Sequence, residues 1–156
     1  MTLPFPVAKF LATWFGAGLL PKAPGTWGSL AAVPFAWGLY HLGGRPLLAA
    51  ATVAVSLIGW WASEVYIRKT GIQDPGEVVI DEVAGQWLTL LVVPPVPLLY
   101  LAGFALFRLF DIRKPWPVSW ADTRIGGGLG VMVDDLFAGI YAALCLWAIA
   151  FWVLPS

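Results

Sequence analysis

The sequence predicts an all-α fold: a polytopic integral membrane helical bundle of about four to five membrane segments, forming one domain over residues 1–156. Three observations predict it. The chain is 60% hydrophobic and only 12% charged, against roughly 25% charge in an ordinary soluble domain, and its mean hydropathy is +0.80. Its apolar residues fall in long runs separated by short polar or Pro/Gly-rich loops. Its 10 Trp suit a chain with two membrane interfaces, where indoles collect. A length of 156 residues makes a single domain the expectation.

The elements follow in order. Residues 5–20 (FPVAKFLATWFGAGLL) are apolar but short, suited to a helix lying in the interface or dipping partway in. Pro4, Pro6 and a lone Lys9, with no small-residue cleavage site, argue against a secretory signal there. The turn PKAPGTWGSL occupies 21–30. Apolar runs at about 28–42 and 46–63 are divided by Gly43-Gly44 and Pro46, and the second ends in Glu64, Arg68 and Lys69. A polar loop covers 70–79. The run at about 83–107 is interrupted by Pro94-Pro95 and Pro97, which remove helix donors and favour a break. A second polar loop spans 111–130, with GGGLG at 126–130 expected as a flexible lead into a last span of about 131–154, close to the ~20 residues a membrane helix needs.

The run 83–107 is either one kinked span or a hairpin. As a hairpin it gives five segments, with Lys22, Arg68, Lys69, Arg108, Arg113, Lys114 and Arg124 on one side and Arg45 opposite. The positive-inside rule makes the crowded side cytoplasmic. A single span would instead carry the basic loop outside, so the hairpin is preferred. It also gathers Glu64, Asp81, Glu82, Asp111, Asp134 and Asp135 at one membrane face.

Two acid doublets stand out, Asp81-Glu82 in DEVAG and Asp134-Asp135 in DDLFAG. Charge at the edge of a membrane helix is costly unless it is used. Carboxylates from two helices offer the hard oxygen ligands that Mg²⁺ or Ca²⁺ takes. Asp81 and Gly85, like Asp135 and Gly139, are four residues apart and share a helix face, where glycine permits close helix approach. The competing reading is that these acids cap helix N-termini. Glu64 stands as a further candidate ligand or as the i,i+4 partner of Arg68, and Asp111 as a lesser candidate. In the turn at 21–30, Gly25, Thr26, Gly28 and Ser29 precede a helix and can cradle an anion, with Lys22 adding charge; an ordinary capped turn is the alternative. Arg113 and Lys114 can neutralise a phosphate or merely serve topology, and Trp116 and Trp120 suit interfacial anchoring.

Absences narrow the chemistry. Net charge is zero and no basic run is present, so no nucleic-acid partner is expected. The single cysteine, Cys145, excludes an internal disulfide and a cysteine-based zinc cluster. The single histidine, His41, falls opposite the acids, which argues against a histidine nucleophile and against Ser-His-Asp chemistry. Two classes remain: an enzyme with a metal and anion site, and a non-enzymatic cation-conducting or lipid-binding membrane protein whose acids line an ion path.

Four ordered blocks, PKAPGTWGSL, VVIDEVAGQW, FRLFDIRKPWPV and GGLGVMVDDLFAGIYA, closely resemble the phosphatidylglycerophosphatase A family over about residues 10–145. The resemblance implies a small bacterial inner-membrane enzyme that needs Mg²⁺ and removes the terminal phosphate of phosphatidylglycerophosphate to give phosphatidylglycerol. On that reading Asp81, Glu82, Asp134 and Asp135 hold Mg²⁺, with Glu64 in support. Lys22, Thr26, Ser29, Arg113 and Lys114 receive the phosphate of a phospholipid substrate, at a site facing the cytoplasm. The residues leave open whether water or a carboxylate is the nucleophile, and they do not set the oligomeric state.

Overall fold

The computed structural model describes residues 5–73 and 75–154. Among these there are six α-helices and no strand: α1 Phe5–Ala12, α2 Pro24–Thr70, α3 Ile80–Leu90, α4 Pro97–Arg113, α5 Val118–Arg124 and α6 Gly127–Val153. The first helix is shorter than the apolar run 5–20. Trp14, Phe15 and Gly16 take positive φ in succession, which no helix accommodates, and only a short 3₁₀ turn follows at Ala17–Leu19.

Helix α2 begins with Pro24 in its first turn, where the missing N–H costs nothing, and ends on Gly71 in the left-handed region. It is folded at Gly44 (φ 70°, ψ −164°), a conformation essentially restricted to glycine. Its two arms return to the same place at the start of α3: Gly28 lies against Val79, and Gly59 lies against Ile80 and Met132. The expected break at Gly43-Gly44 is therefore a reversal. The proline cluster after Leu90 makes a second reversal, and Pro97 starts α4. Gly103 meets Leu90 and Gly85 meets Phe107, so α3 and α4 are antiparallel and the hairpin geometry holds for 83–107.

Only α2 and α6 have the length and apolar character to cross a membrane, fewer than the four to five segments expected. The cause is length. α3 has 11 residues and α4 has 17, whereas the two runs at 28–63 belong to one folded helix. α3 is short yet central: nine of its residues, from Ile80 to Leu90, are buried by α2 on one side and α6 on the other. Outward, the bundle is greasy. Leu98, Leu101, Leu144, Phe151 and Trp152 are all at least 62% exposed, more apolar surface than a water-soluble monomer ordinarily shows.

The polar ends differ. Arg45 lies with Pro94 and Phe151 at the reversal end, where His41 stacks on Trp37. The start of α3, the end of α4, α5, the first turns of α6 and both ends of α2 meet at the other end. All the described acids collect there.

Candidate active site

The site is built on a glycine crossing. A Cβ on Gly139 would stand 2.7 Å from the carbonyl oxygen of Gly85, and one on Gly85 would stand 2.6 Å from that of Asp135. No larger residue fits either place, and the two backbones nearly touch. Thr89 reinforces the contact, its hydroxyl donating to Gly85 O at 2.8 Å and Gly139 O at 3.4 Å. This approach carries the acid doublets of α3 and α6 together, as the four-residue spacing predicts.

Asp81 and Glu82 occupy the first turn of α3. Asp134 and Asp135 do not occupy the first turn of α6. That helix begins at Gly127, so they project from about two turns inside it. Helix capping therefore does not explain the second doublet. The expectation that GGGLG leads flexibly into the helix is likewise corrected: Gly127–Gly130 are helical, and a Cβ on Gly128 would stand 2.6 Å from Trp60 O, so the segment is packed.

Carboxylate oxygens of Asp81, Glu82 and Asp135 all lie within 4.8 Å of one another. Asp135 is 1% exposed and Asp81 7%. Asp81 Oδ1, Glu82 Oε2 and Asp135 Oδ2 are buried without a hydrogen-bond partner. Buried carboxylates in this state are expensive unless a cation compensates them. The nearest side-chain cation is Arg108, 3.9 Å from Glu82 and also paired with Asp111. One shared guanidinium does not balance three carboxylates, and the orphaned oxygens point to a site suited to a hard divalent cation.

Asp134 stands apart from this trio. Its Oδ2 accepts from Lys114 Nζ at 3.2 Å. Lys114 ends α4 in the left-handed region and also lies 3.7 Å from Asp111 and 4.0 Å from Asp122. Burial pulls its pKa down, but the carboxylates of Asp134, Asp111 and Asp135 outweigh that and raise it, so the ammonium stays charged at neutral pH.

The other sequence candidates fall around this centre. Glu64 is not in the trio: its Oε2 accepts from Gly128 N at 2.7 Å and its Oε1 meets Arg68 at 3.2 Å. Thr26 and Ser29 lie in the first turns of α2 rather than in a loop before it. Ser29 is fully buried and its hydroxyl is unpartnered. Lys22 is exposed and lines a separate cleft of about 570 Å³ with Tyr66 and Glu77. Arg113 is exposed, whereas Lys114 beside it is half-buried. Arg108 is the residue that sequence reasoning missed. It counts there only as loop charge, yet it is 16% exposed between Glu82 and Asp111. Gly25 packs on it so closely that a Cβ would stand 3.0 Å from its Nη1 and 2.8 Å from Glu82 Oε1. Its spacing of three residues from Asp111 at the end of an apolar helix was the available signal.

Fold and site together define an all-helical, apolar-surfaced protein with a buried carboxylate centre and a cationic rim at one end. The family model described as Phosphatidylglycerophosphatase A matches residues 10–150, and the chain belongs to that family, a family of phosphatases. It is 39% identical over 145 residues to phosphatidylglycerophosphatase A of Haemophilus influenzae, covering 92% of this chain and 89% of that one. It is 40% identical over 140 residues to phosphatidylglycerophosphatase A of Escherichia coli, covering 89% and 81%. A Bacteroides thetaiotaomicron protein, provisionally named a phosphatidylinositol-3-phosphatase, is 41% identical over 151 residues, covering 92% and 93%. No solved structure matches the chain.

Proposed function

We propose that this chain is a Mg²⁺-dependent lipid phosphatase that hydrolyses phosphatidylglycerophosphate to phosphatidylglycerol and phosphate. It works as a multi-pass protein of the bacterial inner membrane, with the acidic end toward the cytoplasm. The observation that carries the reading is the trio Asp81, Glu82 and Asp135, buried with unpartnered oxygens within 4.8 Å of one another. The substrate is supported by the names of the Haemophilus and Escherichia relatives. The topology is supported by α2 and α6, the two helices long and apolar enough to cross a membrane. It is also supported by the charge asymmetry, with Arg68, Lys69, Arg108, Arg113, Lys114 and Arg124 at helix ends on the acidic side.

Asp81, Glu82 and Asp135 hold Mg²⁺ in this reading. When bound, the ion supplies polarisation of the phosphoryl oxygens and a lowered pKa for a coordinated water. Lys114 presents its ammonium to the phosphate as a charge-assisted donor, and Asp134, Asp111 and Asp122 keep it in place. Arg108 holds Glu82 and Asp111 and adds positive potential where charge develops. Thr26 and Ser29 follow Gly25, the residue of α2 that packs on Arg108 and Glu82. Lys22 and Arg113, both exposed, draw the anionic headgroup toward the site by their field. The position suits a substrate whose acyl chains stay in lipid while its phosphate stays wet.

A cation-conducting protein would carry acids along its spans. The described acids all lie at one end, which supports the enzyme. The test is phosphate release from phosphatidylglycerophosphate by purified protein in detergent micelles. Release is expected with Mg²⁺, lost in chelator and restored by added Mg²⁺. Release that persists in chelator removes the metal, and no release in Mg²⁺ removes the reaction.

A further inference from the structure

The buried centre meets its surroundings at one seam. Asp135 is 1% exposed, whereas the side chains of Glu82 and Arg108 keep 13% and 16%. Both lie where the start of α2 meets the end of α4, with Gly25 packed on them. One turn farther along the same two helices, toward the reversal end, a groove of about 330 Å³ begins. We infer that this groove, between the first arm of α2 and α4, holds one acyl chain of a phospholipid whose phosphate lies at Arg108, so that lipid enters the site sideways through this seam. On the phosphatase reading proposed above, the groove sets the side of the bundle from which substrate arrives and the way it is turned.

Two ridges form its walls. On α4, Pro97, Leu101 and Phe104 stand at spacings of four and three. Arg108 follows four residues on, so all four share one helix face. On α2, Leu30, Val33 and Trp37 make the other wall at spacings of three and four. The helices are pinned at both ends: Gly25 packs on Arg108, and Trp37 meets Tyr100 edge to face at 5.5 Å. Seven residues of wall at 1.5 Å per residue make the groove about 10 Å long. That takes the upper part of an acyl chain and leaves a guanidinium one turn beyond its apolar end.

The walls and the head of the groove identify the occupant. Its lining side chains are apolar or aromatic, and the Tyr100 hydroxyl is itself buried. A polar headgroup finds no partner along these walls, whereas a phosphate at their head finds Arg108. The lips, Leu30 and Leu101, are 45% and 64% exposed on the apolar surface of the bundle, so a chain lies in the groove without leaving the membrane. Lipid tails are as apolar as leucine, and the chain therefore gains little affinity there. What it gains is orientation: a fixed approach of the phosphate lowers a barrier that random encounter does not.

Two measurements on the purified protein in detergent micelles with Mg²⁺ test this. The first compares kcat/KM on long-chain phosphatidylglycerophosphate with kcat/KM on its deacylated form, in wild type and in Leu101→Trp and Val33→Phe, which fill the groove. The ratio of the two is expected to fall about tenfold in each variant, the loss of a fixed approach. A ratio unchanged in both variants overturns the groove. An equal loss on both substrates marks a disturbed fold, and the second measurement then decides. It needs no turnover: long-chain phosphatidic acid, and diacylglycerol of the same chains, each carrying a diazirine in one chain, are photolysed with wild-type protein and the labelled peptides mapped. Phosphatidic acid is expected to label 30–37 and 97–104 about tenfold more than diacylglycerol does, the worth of one charge-assisted contact to its phosphate, and to label Leu144 and Phe151 of α6 no more than diacylglycerol does. Equal labelling of the groove by both lipids overturns the proposal and leaves ordinary surface lipid there. No labelling of the groove, with a dimer by light scattering, overturns it and gives the groove to a second copy. If labelling is as expected but neither substrate is hydrolysed, the phosphatase reading falls and the lipid groove stands.

Discussion

Asp81-Glu82 and Asp134-Asp135 look equivalent in the sequence, each an acid pair followed shortly by Ala-Gly, but the structure treats them differently. The first pair sits in the opening turn of α3, and both of its side chains enter the buried trio. The second sits about two turns inside α6 and splits: Asp135 joins the trio, and Asp134 turns to Lys114. Neighbours on a helix point about 100° apart, so a doublet facing one partner helix must divide its work unless it lies at a terminus, where the chain enters from the side. One pair supplies two ligands to one centre. The other supplies a ligand and a cation holder.

The largest expected effect tests the side of the comparison on which the pairs agree. Asp81→Asn and Asp135→Asn keep the side-chain size and remove a charge from the trio. Each is expected to lower phosphate release by more than about a hundredfold, since even partners one step removed from a metal cost 10–100-fold. Residual activity should need more Mg²⁺ for half-activation, and the protein should purify normally. Near-normal turnover in both variants would leave the trio without a metal role.

The next effect tests the side on which the pairs differ. Asp134→Asn and Lys114→Ala each remove a charge-assisted contact of roughly 1.5–3 kcal/mol. That corresponds to about tenfold to over a hundredfold in rate if the contact acts in the transition state. The Mg²⁺ requirement should stay at the wild-type value. Because the two residues act as one unit, the double variant should be little worse than the poorer single one. An Asp134→Asn variant that demands more Mg²⁺ would place Asp134 with the trio and erase the distinction.

What the sequence made legible follows from local chemistry. The reversal at Gly43-Gly44, the break at Pro94-Pro95 and the Gly85 and Gly139 faces each rest on residues with a strong conformational or steric signature, and all appear in the fold. Less local features were not legible. α6 starts at Gly127 because Gly128 packs on Trp60 and its N–H is met by Glu64, 64 positions away in the chain; no pattern within the GGGLG segment reveals that. Arg108 was hidden for a related reason. A basic residue at a membrane helix end ordinarily serves topology, and Glu82, which ties Arg108 to the acidic trio, arrives from another helix.

The glycine crossing holds both doublets in place, so breaking it should affect them together. In Gly139→Ala the new Cβ meets backbone at 2.7 Å, and backbone cannot rotate aside as a side chain does. Overpacking of this kind costs about 1–3 kcal/mol, visible as a lower midpoint of thermal unfolding in detergent. Activity should fall and the Mg²⁺ requirement should rise in whatever protein remains folded, since α3 and α6 separate. Stability unchanged from wild type would show that the helices do not depend on this approach.

The smallest effect belongs to Glu64, which the sequence groups with the doublets and the structure does not. Its carboxylate accepts from the Gly128 N–H at 2.7 Å, at the α6 terminus where Gly126 gives no side-chain cap. That is the work of a capping residue, done from another helix: it satisfies one of the free donors of the first turn and places negative charge at the positive end of the dipole. Arg68 adds little, because its side chain is 79% exposed and surface ion pairs contribute at most about 1 kcal/mol. Glu64→Gln keeps an acceptor oxygen and loses only the charge. It is expected to cost well under the roughly 0.5–2 kcal/mol of a removed cap, with turnover within about twofold of wild type and an unchanged Mg²⁺ requirement. Glu64→Ala should cost the full capping energy and still leave the metal requirement alone. A Mg²⁺ titration displaced in Glu64→Gln, with the unfolding midpoint unmoved, would return Glu64 to the ligand set and extend the metal site toward α2. Unchanged metal dependence in both variants would separate the acid that positions α6 from the acids that α6 presents.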